Sequence, residues 1–404
     1  MKIFGIGKKS KPSPNTKTFV DISTSKLTCV MAKKNKNNGN IEIISKFHQF
    51  NKSVFKGKIK SLDTLEKCIV KVVHNAEQIA KEVAGNITVG LPASSYKSII
   101  LNMEVDINNH IITSKHIKTL VDYSKIKLLI PNGMDIVHFF PIEYSVDDLN
   151  GIKDPRGLSG KKLLGIYNVV LCPSQTIQSI KSAFYHCHLD VDMFWADSYA
   201  RQRVINNKFP ESDSVFLIDI GFESTTLSYY YNNVLSIINT IQIGSNHVTN
   251  DISKGLNVAS EEAERIKSLD GVILPITSGV NENNNESKQI ISKIIRARME
   301  EILELSWNPI QRQKLNTNPN AKIIFSGGIT NISGFKPFAS EMLQSEILLW
   351  NEIFNDNLYS GLSESTQSLV RSGIYSEENF FHNFNINDNK NIFQKTYSWM
   401  KENF

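Results

Sequence analysis

Two stretches far apart in the chain repeat one device: an apolar strand that runs into an Asp, then a turn rich in Ser and Thr. The first covers residues 18–26, with Asp21 followed by Ser23, Thr24, Ser25 and Lys26. The second covers residues 215–226, with Asp219 followed by Gly221, Phe222, Glu223, Ser224 and Thr225. In both, an alternating apolar segment follows the turn (27–31 and 227–231), so each reads as a β-hairpin with a polar tip. A tip of small hydroxyl residues and Gly lets backbone N–H groups converge on an anion, and the Asp beside it suits a hydrated cation. Two such tips facing one another form a clamp for a nucleotide polyphosphate. Their duplication predicts two pseudo-symmetric halves with the tips meeting at a cleft.

The rest of the chain fits this frame. Of 404 residues, 41% are hydrophobic and 21% charged, a globular composition long enough for two domains. The net charge of +5 comes from scattered lysines without interleaved aromatics, so no nucleic-acid groove is expected. Four cysteines with no C-x-x-C pair argue for reduced thiols and against structural zinc. No run of eighteen apolar residues and no apolar leader occurs, so the reading is neither secreted nor membrane-spanning.

Residues 1–16 are basic and contain Pro and Ser, which predicts a disordered arm. After the first hairpin and a strand at 41–44, residues 62–83 place Leu65, Ile69, Val72, Ala76 and Ile79 at helical spacing. A strand from Ile87 ends in Gly90-Leu-Pro92. The stretch to about 164 alternates short strands with a helix near 114–128 and carries turn signals at 131–133 and 154–157, which suggests a small inserted α+β domain. A strand at 167–171, a helix at 174–187, a strand at 189–194 and a helical connection over 196–205 lead into the second Asp turn. Gly244 opens a further helix; 261–267 is helical with Glu264 and Lys267 at i,i+3; an Asn-rich loop occupies 279–286. A long helix at 288–307 precedes a last strand at 321–325. That strand runs into Ser326-Gly327-Gly328-Ile329, where the Gly pair permits close approach of a ligand to the backbone.

The tail is a separate element. At 100° per residue, Ile392, Phe393, Tyr397, Trp399, Met400 and Phe404 share one face of residues 391–404, and Lys395 and Lys401 lie on the other. A polar linker at 383–390 precedes it. The pattern predicts an amphipathic helix that lies in a membrane interface, with reversible attachment that needs several copies to persist.

The order of Asp turn, inserted domain and second Asp turn, the strings IGSNHVTNDISKGLNVASEEAERIKSLDG and IIFSGGITNISGF, GIKDPRGLSGKKL within the inserted domain, and RARMEEILEL resemble the FtsA family. Those are actin-like bacterial cell-division proteins. The resemblance spans residues 19–404 and implies an α/β actin/Hsp70-type fold, with ATP and Mg²⁺ in the interdomain cleft. It divides the chain into a first lobe (17–85, 166–208 and a return segment 360–382), an inserted domain (86–165), and a second lobe (209–255, 320–359) carrying a subdomain (256–319). Phosphate loops are implied at Asp21–Lys26 and Asp219–Thr225, with Asp21 and Asp219 holding Mg²⁺ through water. The adenosine site is implied at Gly327, Gly328 and Ile329, with Gly244, Glu264 and Lys267 nearby.

The resemblance further implies a peripheral membrane adaptor at the division septum, on the cytoplasmic face of the cell membrane. Such a protein self-assembles, tethers FtsZ through its acidic C-terminal peptide at a groove with Arg296 and Arg298, and meets anionic lipid. Other division proteins bind the inserted domain. Departures from the family pattern are Ser23, Phe222 and Glu223. A carboxylate about 4 Å from another negative charge costs roughly 1–4 kcal/mol, so these predict weak nucleotide affinity. Asp197 is the nearest carboxylate for positioning water. The rival readings are an ATP-dependent small-molecule kinase of the same superfamily and an actin-like scaffold of a pilus or cell-shape system.

Overall fold

The computed structural model describes residue 13 and residues 15–35, 38–275, 286–312, 318 and 320–375. The expected N-terminal arm, Asn-rich loop and linker with its C-terminal helix fall largely or wholly outside them.

The first hairpin is built by β1 (Thr16–Ile22) and β2 (Lys26–Lys34), and β3 (Ile41–Phe50) extends it into an antiparallel meander. A minor hairpin follows, β4 (Val54–Phe55) and β5 (Lys58–Ile59), then α1 (Leu62–Ala80). The helix α1 starts where the Ser61 side chain accepts the Thr64 N–H and stops at Lys81 in the left-handed region. It buries Leu65, Ile69, Val72 and Ala76 as the spacing predicts; Ile79 of the same expected stripe stays exposed.

Next comes β6 (Ile87–Leu91), which pairs in parallel with β1 and with β11 (Val191–Ala196), giving the order β11-β6-β1-β2-β3. The strand assigned on sequence to the inserted domain is therefore central to the first lobe, and its five buried residues reflect neighbours on both edges and both faces. The boundary at the other end shifts as well. β10 (Lys162–Pro173), whose 167–171 core was expected in the first lobe, belongs to the inserted sheet, where it lies between β7 (Lys97–Asp106) and β8 (Met134–Val146), with β9 (Leu149–Ile152) at the edge. Two short helices, α2 (Ser114–Leu120) and α3 (Tyr123–Leu129), replace the single expected helix and cover one face of this sheet through Ile117, Leu120 and Ile126.

The helix α4 (Ser174–His186) joins α1 on one face of the first sheet, and α5 (Asp197–Lys208) lies on the other. Then the plan repeats. β12 (Ser214–Ile220), β13 (Thr225–Tyr231) and β14 (Val234–Ile241) form a second antiparallel meander. The helices α6 (Ser245–Leu256), α7 (Ser260–Asp270) and α8 (Glu286–Arg312) follow, then β15 (Lys322–Ser326), α9 (Phe335–Leu343), β16 (Ile347–Leu349) and α10 (Trp350–Ile353). The second sheet runs β14-β13-β12-β15-β16, with β15 and β16 parallel to β12. Strand for strand it reproduces the first. Asp21 is in register with Thr28 and Gly90, and Asp219 with Thr226 and Ser326.

The long α8 turns Ile291, Ile295, Met299, Ile302 and Leu303 onto the second sheet, a stripe of side chains each contributing about 1.5–3 kcal/mol on burial. The last described helix, α11 (Glu364–Ile374), returns to the first lobe and packs with α5 on its sheet through Leu369, Val370 and Ala200. The next turn of α5 sends Val204 and Ile205 into a core that also contains Val215, Leu217, Ile324 and Trp350 of the second lobe. One helix thus serves both sheets.

Candidate functional site

The two Asp turns converge where α5 and the start of α11 meet. Asp21 ends β1 as a buried carboxyl, accepting the Thr366 hydroxyl at 2.7 Å and the Ser365 hydroxyl at 3.5 Å. Burial pushes its pKa up to about 6, against the lowering effect of the Thr366 bond. The first tip is a tight turn in which Ser23 N donates to Lys26 O, while the Ser23 hydroxyl bonds Lys26 O at 2.9 Å. Asn51 braces it through Ser23 O and Ser25 O. The side chains of Ser23, Thr24 and Ser25 are half-buried and Lys26 is exposed, so this tip keeps its hydroxyls on the surface.

The second tip is closed differently. Gly221 N donates to Ser224 O, and the first turn of α6 docks on it, with Ser245 N donating to Gly221 O and Asn246 N to Phe222 O. The α6 amides that a helix N-terminus would offer to an anion are here spent on tip carbonyls. Gly244 must be Gly, because a Cβ there would meet Gly221 O at 2.6 Å and Phe222 O at 2.7 Å. Glu223 is buried and accepts the Asn246 side-chain amide at 3.0 Å. Its carboxylate is turned to the positive end of α6. Phe222 is half-buried, and the Thr225 hydroxyl donates to Ile243 O at 2.8 Å.

Between the tips lies Arg201, which the sequence reading did not single out. It is 1% exposed. Its Nε donates to Asp197 at 2.7 Å, Nη1 to the Ser326 hydroxyl at 2.7 Å, and Nη2 to Asp219 at 3.1 Å, with Glu364 at 3.9 Å. The guanidinium also stacks over the Trp350 ring, 4.9 Å from its centroid. Burial works against its charge, but Asp197, Asp219 and Glu364 together hold its pKa above the usual value. Asp219 Oδ1 accepts a second bond from Ser326 at 2.5 Å. Glu364, at the start of α11, accepts Gly327 N at 2.7 Å, and burial pushes its pKa up to about 7, against the pull of Arg201. Burial raises Asp197 as well, again against Arg201.

The Gly pair divides its labour. Gly327 has φ +105°, and a Cβ there would sit 2.1 Å from Ile220 O, so its role is the close approach of β15 to β12. Gly328 has no atom within 4 Å of its would-be Cβ and presents an open face, while Ile329 beside it is buried. On α7, Lys267 is buried, bonded to Glu264 at 2.7 Å and to the Thr249 hydroxyl at 2.8 Å, and Thr249 donates to Glu264 at 2.6 Å. The pair is a strut between α6 and α7, with Glu264 45% exposed at its outer end.

Arg296 and Arg298, expected as exposed cations for an acidic peptide, are half-buried and engaged within the chain. Arg296 bonds Glu300 at 2.9 Å and stacks over Phe338, and Arg298 bonds Asp251 at 2.6 Å and contacts Glu301. A helix-surface arginine with carboxylates at i+3 and i+4 closes on its own neighbours.

The residues present fit a nucleotide better than they fit a metal. Hydroxyls at the first tip and the open face at Gly328 suit a phosphate and a nucleoside. The metal reading needs Asp219, whose Oδ1 is already committed to Arg201 and Ser326. Among the described residues, no group of three or more His, Cys, Asp or Glu is arranged to hold a metal ion.

Comparison with known proteins bears on the same regions. The family profile described as cell division protein FtsA matches residues 216–368, and that of the SHS2 domain inserted in FtsA matches residues 93–171, which includes all of β7 to β9 and most of β10. Curated relatives carrying the name cell division protein FtsA include that of Rhizobium meliloti (strain 1021), 24% identical over 378 residues, 86% of this chain and 85% of the relative. Another is from Buchnera aphidicola subsp. Baizongia pistaciae, 27% identical over 379 residues, 86% of this chain and 89% of the relative. Among solved structures, one from the PilM–PilN type IV pilus biogenesis complex superposes with a TM-score of 0.63 at 13% identity, covering 90% of this chain and 99% of that one, a likeness of fold. The two five-stranded sheets with their inserted domain are an actin-like α/β fold. With both family profiles and near-full-length relatives in agreement, this chain belongs to the FtsA family of cell-division proteins.

Proposed function

We propose that this protein binds ATP between its two lobes, self-assembles, and works as a peripheral membrane adaptor that anchors FtsZ filaments to the cytoplasmic face of the membrane at the division septum. The observation that carries the nucleotide part is the strand-for-strand repeat, which sets Asp21 and Asp219 at equivalent strand ends with α5 and α11 between them. In this reading the β- and γ-phosphates lie against Ser23, Thr24, Ser25 and Lys26 and against Gly221, Ser224 and Thr225. The nucleoside lies on Gly328 and Ile329, with Glu264 and Gly244 as its far wall.

Asp197, the one carboxylate considered for positioning water, is paired with Arg201 at 2.7 Å. That pairing commits one of its two oxygens, and in this reading ATP acts as a ligand that orders the cleft rather than as a fuel. Self-association would give the tail its avidity, since a single short amphipathic helix attaches only reversibly. Among the described residues no helix is long and apolar enough to cross a membrane, and attachment is assigned to residues 391–404. The partner peptide is assigned to the α8 region, with Arg296 and Arg298 shaping it through their own ion pairs. The inserted domain remains the candidate surface for neighbouring subunits and other division proteins.

Co-sedimentation with anionic liposomes of the full chain against a truncation after residue 383 tests the adaptor reading. The full chain should pellet with the vesicles and recruit FtsZ to them, and the truncation should do neither. Equal pelleting of the two forms would remove the anchor from the account.

A further inference from the structure

The centre between the two Asp turns contains a cation of the chain's own, Arg201, set among carboxyl groups. Arg201 reaches acceptors on both lobes: Asp197 on its own helix and Glu364 on α11 from the first, Asp219 and Ser326 at the ends of β12 and β15 from the second. Trp350 of the second lobe caps its face. A guanidinium is ionised at any accessible pH, and its planar fork can serve several acceptors at fixed angles. The side chain is 2% exposed, so it cannot swing into solvent without leaving three carboxyl groups and a hydroxyl behind.

This arrangement bears directly on Asp219. A divalent ion approaching that carboxylate through its water shell meets an oxygen that already accepts from Nη2 and from Ser326. It also meets a like charge across a region from which water is excluded, where repulsion is screened least. Binding through Oδ1 requires displacing the guanidinium and stranding it among partners arranged for it, and Asp219, 17% exposed, offers an ion only Oδ2 beyond it. Asp21, the equivalent residue of the first lobe, is itself buried and bonded to Thr366.

We propose that Arg201 is the resident cation of this cleft, occupying the carboxylate that a hydrated divalent ion would otherwise use and making nucleotide binding largely independent of divalent metal. The inference rests on the nucleotide reading above and adds that the Asp219 carboxylate is already paired from within the chain. It also gives Arg201 a second consequence: a side chain ties the lobes together before any nucleotide is bound.

The test is titration calorimetry of the full chain with ATP in excess Mg²⁺ and in EDTA, for wild type, Arg201→Gln and Asp219→Asn, each first checked for folding by circular dichroism. Melting curves with Mg²⁺ alone accompany it. Wild type should bind ATP with a Kd that differs by less than about three-fold between the two conditions and show no melting shift with Mg²⁺. Arg201→Gln frees Asp219 and should develop a Mg²⁺ dependence of at least about ten-fold, with a melting shift on Mg²⁺ alone. Asp219→Asn keeps Arg201 and should stay insensitive to Mg²⁺, which provides the answer if Arg201→Gln does not fold. A wild-type dependence of more than about three-fold, whether or not Asp219→Asn abolishes it, would overturn the proposal and leave the nucleotide reading standing. Failure of every form to bind ATP under either condition would overturn both.

Discussion

At the scale of single residues, the cleft is defined by buried acids whose protons are held more tightly in the folded state. Glu364 titrates near 7 rather than its ordinary 4.5, because burial disfavours its charge more than Arg201 favours it. Between those two values the folded protein binds more protons at this group than the unfolded chain does, so stability falls as pH rises through that window and levels off above it. The contribution is on the order of 3 kcal/mol, and Asp21 adds in the same direction between 3.8 and about 6. Glu364→Gln, which keeps an acceptor for Gly327 N, should flatten the upper part of this slope in denaturant titrations from pH 5 to pH 8; an unchanged slope would contradict the assignment. The Gly pair offers a second contrast. Gly327→Ala forces a Cβ against Ile220 O at a positive φ and should cost more than about 3 kcal/mol, while Gly328→Ala should stay within about 0.5 kcal/mol by thermal melting. Equal effects would mean the two positions are not divided as described.

At the scale of elements, what could be read in the sequence depended on whether a segment faces one neighbour or two. The Asp hairpins are legible from apolar runs that end in an Asp and a hydroxyl-bearing tip, although their strands are buried nearly throughout rather than on alternate residues. The stripe of α1 was legible because one face meets one sheet. The helix α5 was placed, but its function was hidden: Ala200 packs on the first sheet, Val204 and Ile205 on the second, and Arg201 points between them, so it has no single apolar face to find. Its one sequence signal was the i,i+4 spacing of Asp197 and Arg201, which usually marks an exposed pair. The start of α11 was missed for a related reason. Glu364, Ser365 and Thr366 look like an ordinary capped turn after Ser363, and only the return of the chain to the first sheet brings them to Asp21 and Gly327. The domain boundaries slipped because β6 and β10 are continuous apolar strands on either side of a domain junction, and periodicity does not say which sheet a buried strand joins. The α11 cap carries its own prediction. Ser363→Ala removes the bond to Thr366 N and should lower stability by about 1 kcal/mol in a chemical denaturation midpoint. A loss above about 3 kcal/mol would mean the cap does more than start the helix.

At the scale of the whole molecule, two copies of one α/β plan share a core through α5 and meet beside it at a polar centre around Arg201 of the same helix. The inserted domain is fastened to both: Ala196 N donates to His138 of β8 at 3.0 Å, while Ser98 and Asn168 bond to Ile238 and Ser236 of β14. Lobe geometry and inserted-domain position are therefore linked through β14. All of this depends on the two Asp turns acting together on one ligand. Hydrogen–deuterium exchange of the full chain with and without saturating ATP measures that directly. Joint protection of residues 21–26, 219–226 and 326–329 is the expected result. Protection of one tip alone, or of neither, would contradict a shared cleft.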